Sequence, residues 1–368
     1  MYDLVIVGAG PAGATLARLA GSRLRTLLVE RRRGGPAEPG PRAGKCCGGL
    51  LAPEAQRALA ALGLGVPREV LVGPQLFAVR AIDVASGLER HYPRHYLNVD
   101  RARFDAWLRS LVPAAVEVRT GHRLTGLCDE GDGVAAALEW AGGTEVVRAR
   151  LVVGADGAAS RVRARAFPRL PEPETYLAIQ EWFEAGGAEP CHTAVFDPSV
   201  TDFYGWAIPK GDRIVVGAAL RPGLEASGRF ERLVRTLRDR GLRLGRSLGR
   251  EGALLHRPCR PAHLVTGRGR VALAGEAAGF VSPSSAEGLS RALRSGAALA
   301  AALAPGLEGW APRYRAATAG LRREILGKRL KASVLFSPTL RRAVMASGIG
   351  AVPVGEAPVQ GAAVPSSG

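Results

Sequence analysis

The chain has 368 residues, 47% of them hydrophobic and 23% charged, with 5 cysteines and a formal net charge of +17. That length suits two domains sharing a sizeable core and is too long for one small module. No run of about 18 uninterrupted apolar residues exists, which excludes a spanning helix. The odd cysteine count, without C-x-x-C spacing, argues against a disulfide framework or a cysteine zinc site. The basic excess is almost wholly arginine, with lysine only at Lys45, Lys210, Lys328 and Lys331, and it is interleaved with acids as on a solvated surface. It points away from nucleic acid and, if any anionic partner exists, toward a lipid surface or a phosphorylated substrate. A strand-like run begins at residue 3, so no signal peptide is expected and the expected compartment is the cytoplasm. No feature specifies an oligomeric state.

That first apolar strand runs directly into Gly8-x-Gly10-x-x-Gly13. Gly8 permits a tight turn, Gly10 lets backbone approach a pyrophosphate, and Gly13 allows the following helix, with Ala12 in its first turn, to pack closely on the strand. Unpaired N–H groups and the positive dipole end at the helix start suit the phosphates. A second strand, Thr26-Leu-Leu-Val29, ends in Glu30, which can accept hydrogen bonds from ribose hydroxyls, and Arg31 follows. The pattern predicts an ADP-containing dinucleotide.

Residues 34–44 read as a loop rich in glycine and proline, followed by Lys45-Cys46-Cys47-Gly48-Gly49. A helix is expected over residues 53–62, strands and turns over 74–97, and a helix from Asn98 with Phe104, Trp107, Leu108 and Leu111 on one face. Residues 116–127, 133–140 and 145–153 read as a meander ending in Gly154-Ala-Asp156-Gly157. Strand-like runs at 176–184, 193–196, 204–209 and 213–220, with a helix near 229–240, form a second, sheet-based domain. Another buried strand, 270–274, leads into Gly275-Glu276, and an alanine-rich helix follows from about 286 to 303. Residues 311–345 are helical and rich in arginine, and a disordered tail is expected from Ala351. His91-x-x-x-His95 has helical metal spacing, but Pro93 lies between the two, which argues against zinc.

Three glycine–acid sites at strand ends, in this order, resemble the FAD-dependent oxidoreductases of the glutathione-reductase-like fold, in the branch of aromatic hydroxylases and geranylgeranyl reductases. The Cys47-Gly48-Gly49 segment, the Tyr204-Gly-Trp206-Ala-Ile208-Pro209-Lys210 stretch and the run from Gly275-Glu276 through Pro283 to Glu287-Gly288 resemble the geranylgeranyl reductases, over roughly residues 1–305. Glu276 stands where the family carries Asp, and Ile208 where it carries Phe.

The resemblance implies an α/β fold, α+β overall. A Rossmann-like FAD-binding domain with parallel sheet and meander spans 1–73, 98–168 and 266–305. An antiparallel-sheet substrate domain spans 74–97 and 169–265, C-terminal helices span 306–350, and the tail 351–368. The implied FAD site comprises Gly8, Gly10, Ala12, Gly13, Glu30, Arg31, Lys45, Gly48, Gly49, Arg101, Asp156, Gly157, Gly275, Glu276, Pro283, Glu287 and Gly288. Arg101 matches the family's FAD-contacting arginine, and Gly288 opens a helix whose N–H groups face the flavin pyrimidine edge. Cys47 is the candidate catalytic residue, on a mobile loop near the ring, where it could gate the ring, pack on substrate or donate a proton. Tyr204 and Trp206 alternate on one strand and so face one side, as substrate tunnel wall or sheet core.

The expected activity is reduction of carbon–carbon double bonds of an apolar isoprenoid or lipid-like substrate by hydride transfer from reduced flavin. The reductant would be transient NAD(P)H or a reduced electron-carrier protein, since no second glycine-rich strand–helix unit is present. The arginine-rich helices would suit peripheral contact with an anionic membrane. The alternative is an FAD-dependent monooxygenase acting on an aromatic or polyketide-like compound. A halogenase is disfavoured, because residues 70–85 contain no lysine to carry an activated halogen.

Overall fold

The computed structural model describes residues 1–33, 46–187 and 190–353. Lys45 and the glycine- and proline-rich loop before it fall outside the described residues.

Two eight-stranded sheets organise the chain. The first has the spatial order Gly267–Arg268, Val271–Leu273, Gly143–Gly154, Tyr2–Val7, Thr26–Glu30 and Glu117–Thr120. From Val271–Leu273 to Glu117–Thr120 all pairs are parallel. Its central strands read as near-continuous apolar runs because helices and meander bury both faces, as parallel sheets require. The Gly143–Gly154 strand also pairs antiparallel with Val134–Trp140, which pairs with Arg123–Asp129. The meander is thus grafted onto the same sheet.

The pairing sets the site. Val7 is level with Val29 on one side and with Gly154 on the other, and Gly154 is level with Leu273. Three predicted turns, at Gly8, Ala155 and Gly275, therefore leave adjacent strands side by side, about 4.8 Å apart. The Pro11–Ala20 helix packs against the Leu289–Leu303 helix, where a Cβ on Gly296 would stand 2.5 Å from the Ala12 carbonyl oxygen.

The second sheet runs Leu244–Arg257, Glu174–Ala185, Arg213–Leu220, Gly205–Lys210, His192–Phe196, Leu76–Asp83, Glu89–Asn98 and Leu50–Leu51. It is antiparallel except where His192–Phe196 runs parallel to Leu76–Asp83. One face is covered by the Ala226–Asp239 helix, which buries Phe230, Leu233, Val234 and Leu237. The helices Ala319–Phe336 and Pro338–Ser347 reach the same sheet through Leu335, Phe336 and Met345.

Several boundaries differ from the sequence expectation. The run 116–127 is two strands, because Gly121 takes a left-handed conformation (φ +73°) and turns the chain out of the parallel sheet into the meander. Asn98 ends a strand, and the helix starts at Arg101, where the Asp100 carboxylate accepts from the Arg103 N–H at 2.9 Å. The alanine-rich helix starts at Leu289, because Ala286 sits at φ +53°. The 14-residue Leu244–Arg257 strand was missed, its glycines and arginines hiding the alternation. Of the expected tail, residues 351–353 are described, and the Val352 N–H donates to the His91 carbonyl at 2.8 Å.

Candidate active site

One cavity of about 1500 Å³ runs from the glycine turn to the second sheet. At one end lie Gly8, Gly10, Ala12, Glu30, Arg31, Asp156 and Gly157. In the middle are Cys47, Gly48, Gly49, Arg101, Gly275, Glu276, Glu287 and Gly288. At the far end are Tyr96, His192, Phe196, Tyr204 and Trp206. Two predicted residues do not line it. Gly13 lies beneath the turn, and the Pro283 carbonyl instead accepts from Arg257 Nε at 3.2 Å.

At the first end, Gly8 has φ +104° and its missing Cβ leaves room for the Ala155 carbonyl, 2.5 Å from where that atom would stand. Glu30 is held by the N–H groups of Ala9 (2.9 Å) and Arg32 (3.0 Å), so its carboxylate is aimed before any ligand arrives. The Pro11–Ala20 helix has no side-chain cap, and a Cβ on Gly10 would meet no atom within 4 Å. That pairing of open backbone with uncapped N–H groups is the cradle a pyrophosphate needs. Asp156 accepts from Ser160 Oγ (2.6 Å) and the Arg161 N–H (2.7 Å), and burial raises its carboxyl above the ordinary range.

The centre joins two stretches that are far apart in sequence. Lys210 is buried and its ammonium donates to Gly49 O (3.1 Å), Val99 O (2.9 Å) and Asn98 Oδ1. Burial pulls it down to about 7. A Cβ on Gly48 would stand 2.4 Å from Ile208, and one on Gly49, 2.3 Å from Val99 O. The Cys47-Gly48-Gly49 segment is therefore packed onto the strand bearing Trp206 and Lys210.

Cys47 Sγ accepts from Arg101 Nη1 at 3.3 Å, and Arg101 Nε binds Asp105 at 2.9 Å. Burial alone would push the guanidinium down, but Asp105 and Cys47 together hold it above its ordinary range. Arg101 is thus buried at the cavity wall with part of its fork already engaged. Sequence reasoning picked out Arg101 but missed its thiol partner.

Near the third turn, Gly275 N–H donates to Ser295 Oγ at 2.9 Å, and the Glu276 carboxylate accepts from the His256 N–H at 3.2 Å. The Glu287 carboxylate accepts from the Ser290 N–H and Oγ, both at 2.7 Å, and pairs with Arg291. It caps the helix that Gly288 opens, and the space around Gly288 is free to 3.7 Å. Tyr204 donates to Ser285 O at 2.9 Å, tying the sheet wall to this helix start, and burial raises its phenol. Tyr204 and Trp206 share one side, their rings 5.7 Å apart. His192, unremarked in the sequence, lines the same arm edge-on to Tyr96 at 5.6 Å. Burial, assisted by the charge of Arg94, lowers it to about 4.

A Gly-x-Gly-x-x-Gly turn with a fixed acid on the next strand, and two further strand-end loops around one cavity, define a Rossmann-like dinucleotide-binding enzyme fold. The chain belongs to the FAD binding domain family, whose model matches residues 1–204, and it has the fold of an FAD-dependent oxidoreductase. It is 36% identical over 352 residues to protein CbrA of Escherichia coli K12, covering 96% of this chain and 98% of that one. Two solved structures share the fold. A geranylgeranyl bacteriochlorophyll reductase-like protein of Thermoplasma acidophilum has a TM-score of 0.76 at 20% identity, over 93% of this chain and 90% of that one. PqsL, a probable FAD-dependent monooxygenase of Pseudomonas aeruginosa, has a TM-score of 0.68 at 23% identity, over 94% and 99%.

Proposed function

We propose that the enzyme reduces a carbon–carbon double bond in an apolar, isoprenoid or lipid-like substrate. The observation that carries this reading is the Lys210 clamp, which fuses the two stretches resembling geranylgeranyl reductases into one wall of the cavity. Bound FAD would supply the hydride. The chain's own residues bind and orient: Glu30 takes the ribose, the Pro11–Ala20 helix start takes the pyrophosphate, and the backbone at Gly288 receives the ring edge. Ala178, Ala194, Phe196 and Tyr204 line the arm and keep water from the reacting carbon. Cys47 Sγ, oriented by Arg101, can hold or release a proton at that wall. The electron donor is read as a transient nicotinamide dinucleotide or a reduced carrier protein, since the described residues form one Gly-x-Gly-x-x-Gly turn.

Hydroxylation of an aromatic or polyketide-like compound is the second reading, favoured by the aromatic lining of Tyr96, Phe196, Tyr204 and Trp206. Mass analysis of products separates the two. Protein reduced without oxygen and given prenyl lipids should yield products heavier by two hydrogens, whereas turnover that requires oxygen and adds an oxygen atom overturns the reductase reading.

Contact with an anionic membrane is proposed for the C-terminal helices. Leu330 on the Ala319–Phe336 helix and Ile349 just past the Pro338–Ser347 helix are each 76% exposed, and Lys328 and Lys331 line the cavity. Apolar and cationic side chains together suit an anionic bilayer surface.

A further inference from the structure

Gln180 and Trp206 lie in the second sheet on either side of Gly217, each paired directly with it. A Cβ on Gly217 would stand 2.4 Å from Trp206 Cε2 and 2.6 Å from Nε1, so the indole lies flat across the glycine, toward Gln180. Both side chains line the cavity, Gln180 at 0% exposure and Trp206 at 9%. Yet Gln180 Oε1 and Trp206 Nε1 have no hydrogen-bond partner.

The amide orientation is fixed by its other end. Gln180 Nε2 donates to Glu251 Oε1 at 3.2 Å, and a carboxylate there can only accept. The carbonyl oxygen is therefore the unused end, and the indole, a donor only, is the unused partner across Gly217. Buried donors and acceptors are ordinarily satisfied, so two buried orphans flanking one glycine, in side chains that line one cavity, mark a place where a ligand can supply the partners. Tyr204 does not compete, because its hydroxyl is spent on Ser285 O.

We propose that Trp206 Nε1–H and Gln180 Oε1 together read one neutral hydroxyl, phenolic or alcoholic, on an otherwise apolar substrate. The hydroxyl oxygen accepts from the indole and its O–H donates to the amide oxygen. A carboxylate has no proton for Gln180 Oε1, a ketone satisfies only the indole, and a hydrocarbon leaves both atoms unpaired. The rest of the substrate lies along Ala178, Ala194, Phe196 and Tyr204. The inference rests on the reading of this arm as the substrate site of a flavoenzyme.

The test titrates FAD-loaded protein with 4-hexylphenol, its methyl ether and hexylbenzene, following heat and the flavin absorption band. The phenol should bind about tenfold or more tightly than the other two. Trp206→Phe and Gln180→Leu should each bring the three affinities within about twofold, with the fold intact and FAD affinity at the wild-type value. Equal affinities in the wild type, no phenol binding up to its solubility, or a preference that survives both substitutions would overturn the proposal. An intact fold with FAD affinity weakened in both variants would assign the pair to the cofactor and overturn it too. Should Gln180→Leu fail to fold, Trp206→Phe and the wild-type series decide. Failure of the wild type to take up FAD at all would instead sink the flavoenzyme reading, and is scored separately in the same samples.

Discussion

A Cβ on Gly13 would stand 1.9 Å from the Gly8 carbonyl oxygen, whereas one on Gly10 would point into open cavity. The same turn thus needs glycine for two separable reasons. Gly13→Ala should destabilise the protein by about 3 kcal/mol or more through backbone collision, and should lose FAD as a consequence. Gly10→Ala should melt like the wild type but bind FAD at least about tenfold more weakly, because the methyl fills the cradle. Melting curves and FAD titrations on the pair check both outcomes. His192 gives a pH signature. Its folded value of about 4 lies below the unfolded value near 6.5, so the unfolded chain binds the proton first. The stabilisation is complete above pH 6.5 and is lost as pH falls toward 4, by about 3 kcal/mol. Urea unfolding between pH 7 and 4 should show that slope, and His192→Gln should flatten it.

At the scale of elements, the last helix is tied to the second sheet by Arg341 Nη2 and Asp83 Oδ1 at 2.9 Å, with side-chain exposures of 6% and 1%. The guanidinium also lies over Phe196, 5.0 Å from its ring centre, and donates to Leu335 O. Removing one partner leaves a buried charge, so Arg341→Met should cost about 3–5 kcal/mol. The double variant with Asp83→Asn should recover part of that loss. Because Phe196 and Leu335 line the arm proposed to take the substrate, FAD uptake should survive Arg341→Met while substrate affinity falls. The elements themselves were unevenly legible. The Tyr2–Val7 strand, its glycine turn and the Leu289–Leu303 helix announce themselves through apolar runs and local spacing. The Leu244–Arg257 strand does not. Its burial alternates weakly at a sheet edge, and its pairing with Glu174–Ala185 is a contact between residues far apart in sequence.

For the whole molecule, the cavity is walled by both sheets and by the Ala319–Phe336 helix, so a ligand filling it holds them together. FAD at a hundredfold its dissociation constant should raise unfolding free energy by about 2.7 kcal/mol. Calorimetry with and without FAD checks this, and an unshifted transition at saturating FAD would contradict the cavity's assignment. The net charge of +17 bears on the membrane proposal. Sedimentation with phosphatidylglycerol vesicles should exceed that with phosphatidylcholine and fall steeply between 0.05 and about 0.5 M salt, as screening shortens the reach of the charges.

The sequence by itself determined the cofactor class, because the glycine turn, the acid that follows and the two later strand-end motifs are local patterns whose chemistry depends on a few adjacent residues. It also marked Cys47, Arg101, Tyr204 and Trp206, though only as separate features. Tertiary structure alone decided how they meet: that Arg101 holds the Cys47 thiol, that Lys210 clamps Gly49, and that Gly217 lets the Trp206 indole lie beside Gln180. Each of those contacts joins residues from different elements, and no periodicity or spacing along the chain encodes which strands become neighbours in a sheet.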